Sequence, residues 1–201
     1  MDVGAEPVLH RRVDDAARGV LPDWSVVDPG RRRHMERVAE LMAEWADVLG
    51  LSSTDRDRWV AAAFLHDALR DAPPAELRRF VPPAVAALPG QVLHGPACAE
   101  RLRVEGVKDG ALLLAISQHT VGHPHLDTLG LALFAADFLE PGRSFLTEWR
   151  AEIRGRMPGA LETSVKDILR VRLQHVLERG LGLLPDTVAF WNRFAGAGEE
   201  R

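Results

Sequence analysis

The feature that most constrains this chain is the spacing of its apolar residues, which recur at three- and four-residue steps. The clearest example is a segment from about residue 29 to 49, with apolar positions at Met35, Val38, Met42, Trp45 and Leu49. Side chains at this spacing share one side of an α-helix, because the helix turns once in about 3.6 residues. The pattern predicts an amphipathic helix with this face in the core.

The same reasoning predicts further helices along the chain. A capping hydroxyl at Ser53 or Thr54 starts a second helix, which runs through WVAAAFLHDAL until the Pro73-Pro74 pair stops it. The remaining predicted helices cover residues 74–80, 82–88, 94–104, 108–119, 127–139, 161–179 and 185–194. No segment shows the alternation of a half-buried strand. We therefore predict an all-α fold.

Composition excludes several classes of protein. A chain of 201 residues can form one domain with a substantial core, and its net charge of −4 argues against a general nucleic-acid binder. No apolar run reaches the roughly 18 residues of a membrane span, and the start MDVGAEPV lacks the apolar core of a signal peptide. Cys98 is the only cysteine, so no internal disulfide forms. We expect a cytoplasmic protein without nucleic-acid or membrane partners.

Three apolar segments carry polar residues that are costly to bury. WVAAAFLHDAL contains His66 and Asp67, ALLLAISQH ends in His119, and LALFAADFL contains Asp137. Buried carboxylates are normally paired with a cation or bound to a metal. No cationic residue lies within one helical turn of Asp137 on either side, and the next one along the chain is Arg143. The partner of Asp137 is therefore expected from another segment, and a cation from solution is the economical candidate.

Two further histidines complete an ordered set. His34 shares the apolar face of its helix and His94 opens the segment LHGPA, so the candidates are His34, His66, Asp67, His94, His119 and Asp137. Each alone is compatible with a hydrogen-bonded core residue, but six on five segments favour a metal site. Imidazoles and carboxylates suit iron, manganese, zinc or cobalt. Arg70 shares a helical face with His66 and Asp67 and is expected to hold a phosphate.

The other histidines are weaker candidates. His123 and His125 flank a proline in GHPH, which is more typical of a surface loop than of a metal site. A zinc pair formed by His119 and His123 is an alternative, although Gly122 and Pro124 argue against a continuous helix between them.

The order H…HD…H…H…D on a helical chain resembles the HD-domain metal-dependent phosphohydrolase superfamily. The segments RRRHMERVAELM, LHDALRD, LHGPACAERL, ISQHTVGHP and ALFAADFLEPGR look like its YqeK-type branch, whose members hydrolyse diadenosine tetraphosphate symmetrically. The resemblance covers about residues 30–191. It implies a single-domain helical bundle at 30–194, between an N-terminal helical extension at 1–29 and a C-terminal tail at 195–201.

The resemblance also implies a centre of two divalent transition-metal ions. One ion would be held by His34, His66, Asp67 and Asp137, and the other by His94 and His119, with Asp67 shared. The family is usually associated with iron, and manganese, cobalt and zinc are the alternatives. Arg70 stands where the family commonly has lysine, which keeps the charge but changes the donor geometry. His123 replaces a threonine- and arginine-containing loop, which affects the expected substrate contacts there.

The reaction expected from the resemblance is the hydrolysis of diadenosine tetraphosphate to two ADP by a hydroxide that bridges the metals. Asp67 and Arg70 are the expected catalytic residues, and phosphate contacts are expected from Arg70, Arg143, His94, Thr120 and Gly122. Two alternatives stay open: a hydrolase of another nucleotide or small phosphate ester, and a non-enzymatic nucleotide- or metal-binding regulatory module. A homodimer is also considered.

Overall fold

The computed structural model describes residues 8–195, in which helices are the only regular elements. The helices are α1 (Arg11–Ala17), α2 (Pro29–Val48), α3 (Ser53–Leu65), α4 (Pro74–Leu77), α5 (Pro83–Ala86), a 3-10 helix (Gly90–Val92), α6 (His94–Val104), α7 (Gly110–Gln118), α8 (Thr128–Leu139), α9 (Thr147–Gly155), α10 (Leu161–Glu178) and α11 (Pro185–Ala195). The all-α prediction is confirmed. None of these helices is long and apolar enough to cross a membrane.

Helix α2 begins and faces the core as its sequence predicts. Asp28 caps its N-terminus by accepting a hydrogen bond from the amide of Arg31 at 2.7 Å, and Pro29 follows where no amide N–H is needed. The buried face, which packs on α3, consists of His34, Met35, Val38, Ala39, Met42, Trp45 and Ala46. His34 is therefore carried into the core by its apolar neighbours.

Helix α8 runs through the interior of the molecule. All of its residues from Leu129 to Leu139 are buried, and the helix contacts α2, α3, α7, α9 and α10. Asp127 caps its N-terminus by accepting a hydrogen bond from the amide of Gly130 at 3.0 Å. A helix that is apolar all round has to be surrounded by other elements. Asp137, near its C-terminal end, is buried for the same reason.

Helix α3 ends at Leu65, four residues earlier than predicted. The connector that precedes α2 binds the backbone just beyond this point: the amide of Val26 donates to the carbonyl of Ala68 at 2.8 Å, and the amide of Asp71 donates to the carbonyl of Val26 at 3.3 Å. These tertiary hydrogen bonds take backbone groups that a longer helix would use. The His-Asp pair consequently lies in the turn that follows α3.

The N-terminal part of the chain packs on the bundle where it is described. Helix α1 lies against α3 and buries Val13 and Ala16, and the indole N–H of Trp24 donates to Glu105 Oε1 at 2.8 Å. Residues 1–7 of the predicted extension and residues 196–201 of the predicted tail lie outside the described residues. The domain boundaries stay predictions.

Helix α11 braces the turn that follows α7. Phe190 packs against Gly122, which has a φ of +77°. Thr187 and Arg193 donate hydrogen bonds to carbonyl oxygens of residues 121, 124 and 126 at distances of 2.6–3.2 Å. The position of this turn therefore depends on a helix more than sixty residues further along the chain.

Candidate metal centre

Polar side chains from five segments meet inside the bundle. They come from α2, the turn after α3, the start of α6, the end of α7 and the end of α8, in the order His34, His66, Asp67, His94, His119 and Asp137. None of the six is more than 8% exposed. The structure thus brings all of the predicted metal ligands to one place in the core.

Asp67 lies between two pairs of histidines. Its Oδ1 atom is 3.1 Å from His94 Nε2 and 3.6 Å from His119 Nε2. Its Oδ2 atom is 3.7 Å from His34 Nε2 and 3.6 Å from His66 Nε2. Within each group, one ligand atom from Asp67 and one from each histidine lie within 4.8 Å of one another. One carboxylate can therefore offer an oxygen to each of two adjacent sites.

Three of the histidine rings are oriented by hydrogen bonds on the side away from Asp67. The Nδ1 atom of His66 lies 2.6 Å from the carbonyl of residue 63, and that of His119 lies 2.8 Å from the carbonyl of residue 116. The Nδ1 atom of His34 lies 3.2 Å from Glu140 Oε1. Each ring can donate its Nδ1–H to an oxygen, which leaves the Nε2 lone pair directed into the site.

These residues fit a pair of transition-metal ions. His66 Nε2 is buried and has no hydrogen-bond partner within residues 8–195. An unpaired buried nitrogen is unfavourable, and a metal ligand is one of the few roles that satisfies it. The donor set of imidazole nitrogens and carboxylate oxygens also suits iron, manganese, cobalt or zinc.

The environment sets the protonation of these groups. Burial lowers the pKa of His66 to about 4 and also lowers the pKa of His94. Burial on its own raises the pKa of Asp67, but the neighbouring His66 and the hydrogen bonds of His119 and His94 hold it well below its usual value. Burial lowers the pKa of His34, but contacts with two carboxylates raise it overall, so a metal must compete with a proton there.

Two arginines pair with Asp137. Arg143 NH2 donates to Oδ1 and Arg172 NH2 donates to Oδ2, each at 2.9 Å. Burial raises the pKa of Asp137, but the hydrogen bond with His34 and the charge of Arg172 hold it well below its usual value. The prediction that a partner comes from another segment is right for Arg172, which lies on α10. The expectation of a solution cation as the economical partner did not consider Arg172 and set aside Arg143, which reaches back past the end of α8 to Asp137.

The sequence reasoning also missed Arg31 and Glu140. Arg31 NH1 donates to Asp67 Oδ2 at 2.7 Å. Glu140 contacts His34 and accepts a hydrogen bond from Arg37, and although burial raises its pKa, these contacts lower it to about 2. Arg31 precedes His34 by three residues and so shares its helical face, which is the one signal that could have identified it.

An open cleft with a volume of about 900 Å³ leads to the centre. Its lining includes Asp67, His94, His119 and Asp137, the guanidinium groups of Arg31, Arg70, Arg143 and Arg172, and an apolar wall of Phe138, Phe145 and Leu146. This volume is within the range of about 300–1,000 Å³ that is usual for ligand sites. A basic cleft over a cluster of metal-ligand type is suited to an anionic substrate such as a phosphate.

The predicted phosphate contacts divide into two sets. Arg70, Arg143, His94 and Thr120 line the cleft. Gly122 does not, and the expectation for it needs correction: its amide already donates to the carbonyl of residue 118 at 2.7 Å. A Cβ atom on Gly122 would lie 2.1 Å from Phe190 Cδ1, so this glycine is required for packing.

His123 lies in the turn after α7 and contacts a neighbouring residue of the same turn. His123 Nδ1 accepts a hydrogen bond from the amide of His125 at 3.1 Å, and His123 belongs to neither ligand group found within residues 8–195. His119 belongs to one of those groups, so the structure favours it as a ligand beside Asp67 and His94 rather than beside His123. Arg70 NH1 donates to the carbonyl of Gln91 at 3.3 Å at the edge of the cleft.

Comparison with known proteins agrees with this architecture. The profile of the HD domain family matches residues 31–142, which is more than half of the chain. The chain therefore belongs to the HD domain family, a class of metal-dependent hydrolases.

Among curated proteins, the chain is similar to three that are named symmetrical bis(5'-nucleosyl)-tetraphosphatase. The relative from Halalkalibacterium halodurans is 27% identical over 171 residues, which is 81% of this chain and 88% of the relative. The relative from Staphylococcus aureus is 24% identical, covering 82% and 86%. The relative from Bacillus subtilis is 27% identical, covering 79% and 86%. Each match extends well beyond the HD profile.

A solved structure supports the same fold. The crystal structure of a predicted HD superfamily hydrolase involved in NAD metabolism from Clostridium acetobutylicum superposes with a TM-score of 0.71 at 20% identity. The match covers 90% of this chain and 94% of that protein. At this identity the likeness concerns the fold.

Proposed function

We propose that this protein hydrolyses diadenosine tetraphosphate symmetrically, with water, to two molecules of ADP. The observation that carries the proposal is the position of Asp67, whose two oxygens face two separate pairs of histidines at the bottom of a basic cleft. The choice of substrate follows the names of the three relatives, each a symmetrical bis(5'-nucleosyl)-tetraphosphatase.

The ligands divide according to their distances from the two oxygens of Asp67. His34 and His66, with Asp137 beside His34, would hold one metal ion, and His94 and His119 would hold the other. Asp67 would be shared by both. When bound, two such ions lower the pKa of water and neutralise phosphoryl oxygens during an in-line displacement. We expect iron, and manganese, cobalt or zinc are alternatives with the same donor preference.

The cleft offers cationic donors to the phosphates of the substrate. Four arginines line it, of which Arg31, Arg143 and Arg172 already pair with carboxylates of the ligand cluster. Arg70 bonds only a backbone carbonyl in the contacts described, so it is well placed to exchange that bond for a phosphate oxygen. Arg143 is the second expected phosphate contact, because it lines the cleft and its side chain remains partly exposed beside Asp137.

The test combines metal analysis with product analysis. Wild-type protein, reconstituted anaerobically with iron, should contain close to two metal ions per chain and convert diadenosine tetraphosphate to ADP alone. Asp67→Ala should lose both properties. Glu44→Ala, which removes an exposed carboxylate on α2, is the matched control and should retain both.

Three other results separate the alternatives. AMP and ATP as products would contradict symmetrical cleavage. Metal binding without turnover would leave the centre in place and direct the search to other nucleotides and phosphate esters. Absence of both metal and turnover after reconstitution would contradict a metal-dependent hydrolase and favour a hydrogen-bonded core network.

A further inference from the structure

A second cavity adjoins the cleft and has a different character. It has a volume of about 420 Å³ and lies between α10 and the segment that leads to α11. We call it the apolar groove and define it by Val92, Val121, Leu173, Leu181, Leu183 and Leu184. Leu181 and Leu183 are 58% and 38% exposed, so apolar surface remains accessible at its mouth.

The apolar groove shares part of its lining with the cleft over the candidate metal centre. Four residues line both cavities: Thr120, Arg172, His175 and Val176. Thr120 Oγ1 lies 3.0 Å from His119 Nε2, and Arg172 NH2 lies 2.9 Å from Asp137 Oδ2. Residues of the wall shared by the two cavities are therefore in direct contact with the ligand cluster.

The cleft has its own apolar surface, which the groove does not share. Phe138, Phe145 and Leu146 line only the cleft. The guanidinium of the buried Arg150 lies 5.0 Å and 4.6 Å from the ring centroids of Phe138 and Phe145, which holds the two rings in place. Phe145 and Leu146 are each 48% exposed and so are available to a ligand. The ligand cluster thus lies next to two separate apolar surfaces.

We propose that the apolar groove is a nucleoside subsite that makes the protein selective for phosphate chains with a nucleoside at both ends. This inference rests on the proposed function and adds the residues that would bind the second nucleoside of the substrate. A dinucleoside polyphosphate consists of two flat, largely apolar bases joined by an anionic chain. It matches a basic centre flanked by two apolar surfaces, with one base on the wall of Phe138, Phe145 and Leu146 and the other in the groove.

The test compares a two-ended with a one-ended substrate. Wild-type protein should have a lower KM for diadenosine tetraphosphate than for adenosine 5'-tetraphosphate, because only the former fills both surfaces. Leu183→Glu places a charge in the groove without removing a buried core residue. It should raise the KM for diadenosine tetraphosphate about tenfold or more. A tenfold change corresponds to the free energy gained by burying about one apolar side chain. The KM for adenosine 5'-tetraphosphate should change less than about twofold.

The matched control is Leu177→Glu, which places the same charge on the same part of the molecule. Leu177 is 62% exposed and lines neither cavity. It should leave both KM values unchanged, which shows that a new carboxylate near α10 is not sufficient for the effect.

The outcomes separate the inference from the function on which it rests. If the wild type cleaves both substrates with the same KM, or if Leu183→Glu affects both equally, the nucleoside subsite is overturned and the hydrolase remains. If the variant changes the mass of the particle in sedimentation, the groove is a contact between copies, which also overturns it. If the wild type cleaves neither substrate, the proposed function is overturned, and the inference with it.

Discussion

The side chain of Asp67 carries more contacts than any other carboxylate in the site. Its two oxygens lie near four imidazole nitrogens and accept a hydrogen bond from Arg31 at 2.7 Å. A buried anion with this many donors is held in one orientation, which is the condition for offering each oxygen to a different ion. We therefore expect Arg31 to contribute to metal binding by holding the carboxylate of Asp67 in place.

Arg31→Gln tests this orienting role. The change removes the guanidinium that donates to Asp67 Oδ2, so the carboxylate loses a fixed partner. We expect metal affinity or kcat/KM to fall by about 10- to 100-fold, as for other residues that orient metal ligands. Metal titration and steady-state kinetics would measure the change. Arg33→Gln, an exposed position on the same helix, should be unaffected; equal loss in both variants would mean that only net charge matters.

Gly122→Ala tests the packing requirement behind the site. An alanine Cβ would lie 2.1 Å from Phe190 Cδ1, and the residue has a φ of +77°. Left-handed backbone and overpacking together should lower the free energy of unfolding by about 2–4 kcal/mol. Chemical denaturation would measure it. Gly110→Ala, where nothing lies within 4 Å of the new atom, is the control and should be neutral; a neutral Gly122→Ala would contradict the close contact.

The sequence identified the polar residues that meet in the core but not the residues that pair with them, for a physical reason. Histidine and aspartate inside apolar helices are conspicuous because burying them without a partner is costly. Arg172 could not be recognised, because an arginine on a charged amphipathic helix is ordinary. Its contact with Asp137 joins residues 35 positions apart, and no local periodicity encodes such a distance.

At the scale of single elements, capping decides where several helices begin. Asp109 precedes α7, accepts a hydrogen bond from the amide of Leu112 at 3.0 Å, and pairs with Arg58 through Nε at 2.7 Å. Burial raises the pKa of Asp109, but the hydrogen bonds from Arg58 and the helix amides lower it overall. The ionised carboxylate is therefore the form that stabilises the folded chain.

Asp109→Ala should show a pH-dependent loss of stability. The depressed pKa means that the contribution is fully present above the unfolded value of about 3.9 and is lost as the pH falls through the lower folded value. At pH 7 we expect a loss of about 0.5–2 kcal/mol, which is typical of a removed cap. Urea denaturation at pH 7 and at about pH 3 would measure it.

The conservative variant separates the cap from the ion pair. Asp109→Asn keeps an oxygen that can accept from the helix amide, so it should lose less stability than the alanine variant at pH 7. A loss from Asp109→Ala that is the same at both pH values would contradict a role for the ionised carboxylate.

The sequence reasoning missed helix α9 and placed the end of α3 too late. Helix α9 follows Leu146, which has a φ of +49° and offers no capping side chain, so its start lacks the usual capping residue. Its buried face includes Arg150, a residue that patterning assigns to the surface. Helix α3 ends early because the connector at Val26 binds backbone groups beyond Leu65, a contact between distant segments.

At the scale of the whole molecule, the centre joins α2, α6, α8 and the turns after α3 and α7. A ligand that binds only the folded arrangement of these five segments stabilises all of them together. Metal loading should therefore be visible in the global unfolding transition and not in activity alone.

Metal binding should raise the stability of the folded chain by a measurable amount. At a free metal concentration about 100 times the dissociation constant, binding adds about 2.7 kcal/mol to the free energy of unfolding. For a chain of about 200 residues this corresponds to a rise of about 5–10 °C in Tm. Calorimetry of the reconstituted protein with and without a chelator would measure it. Asp67→Asn should show no such difference, and an equal shift in that variant would place the metal elsewhere.

The brace formed by α11 has a consequence for biosynthesis. Phe190, Thr187 and Arg193 hold the turn next to His119, and Arg172 pairs with Asp137. All six candidate ligands are translated by residue 137, whereas the contacts from α11 cannot form until residues 187–193 have been made. We therefore expect stable metal acquisition to follow the translation of α11 rather than that of the last ligand.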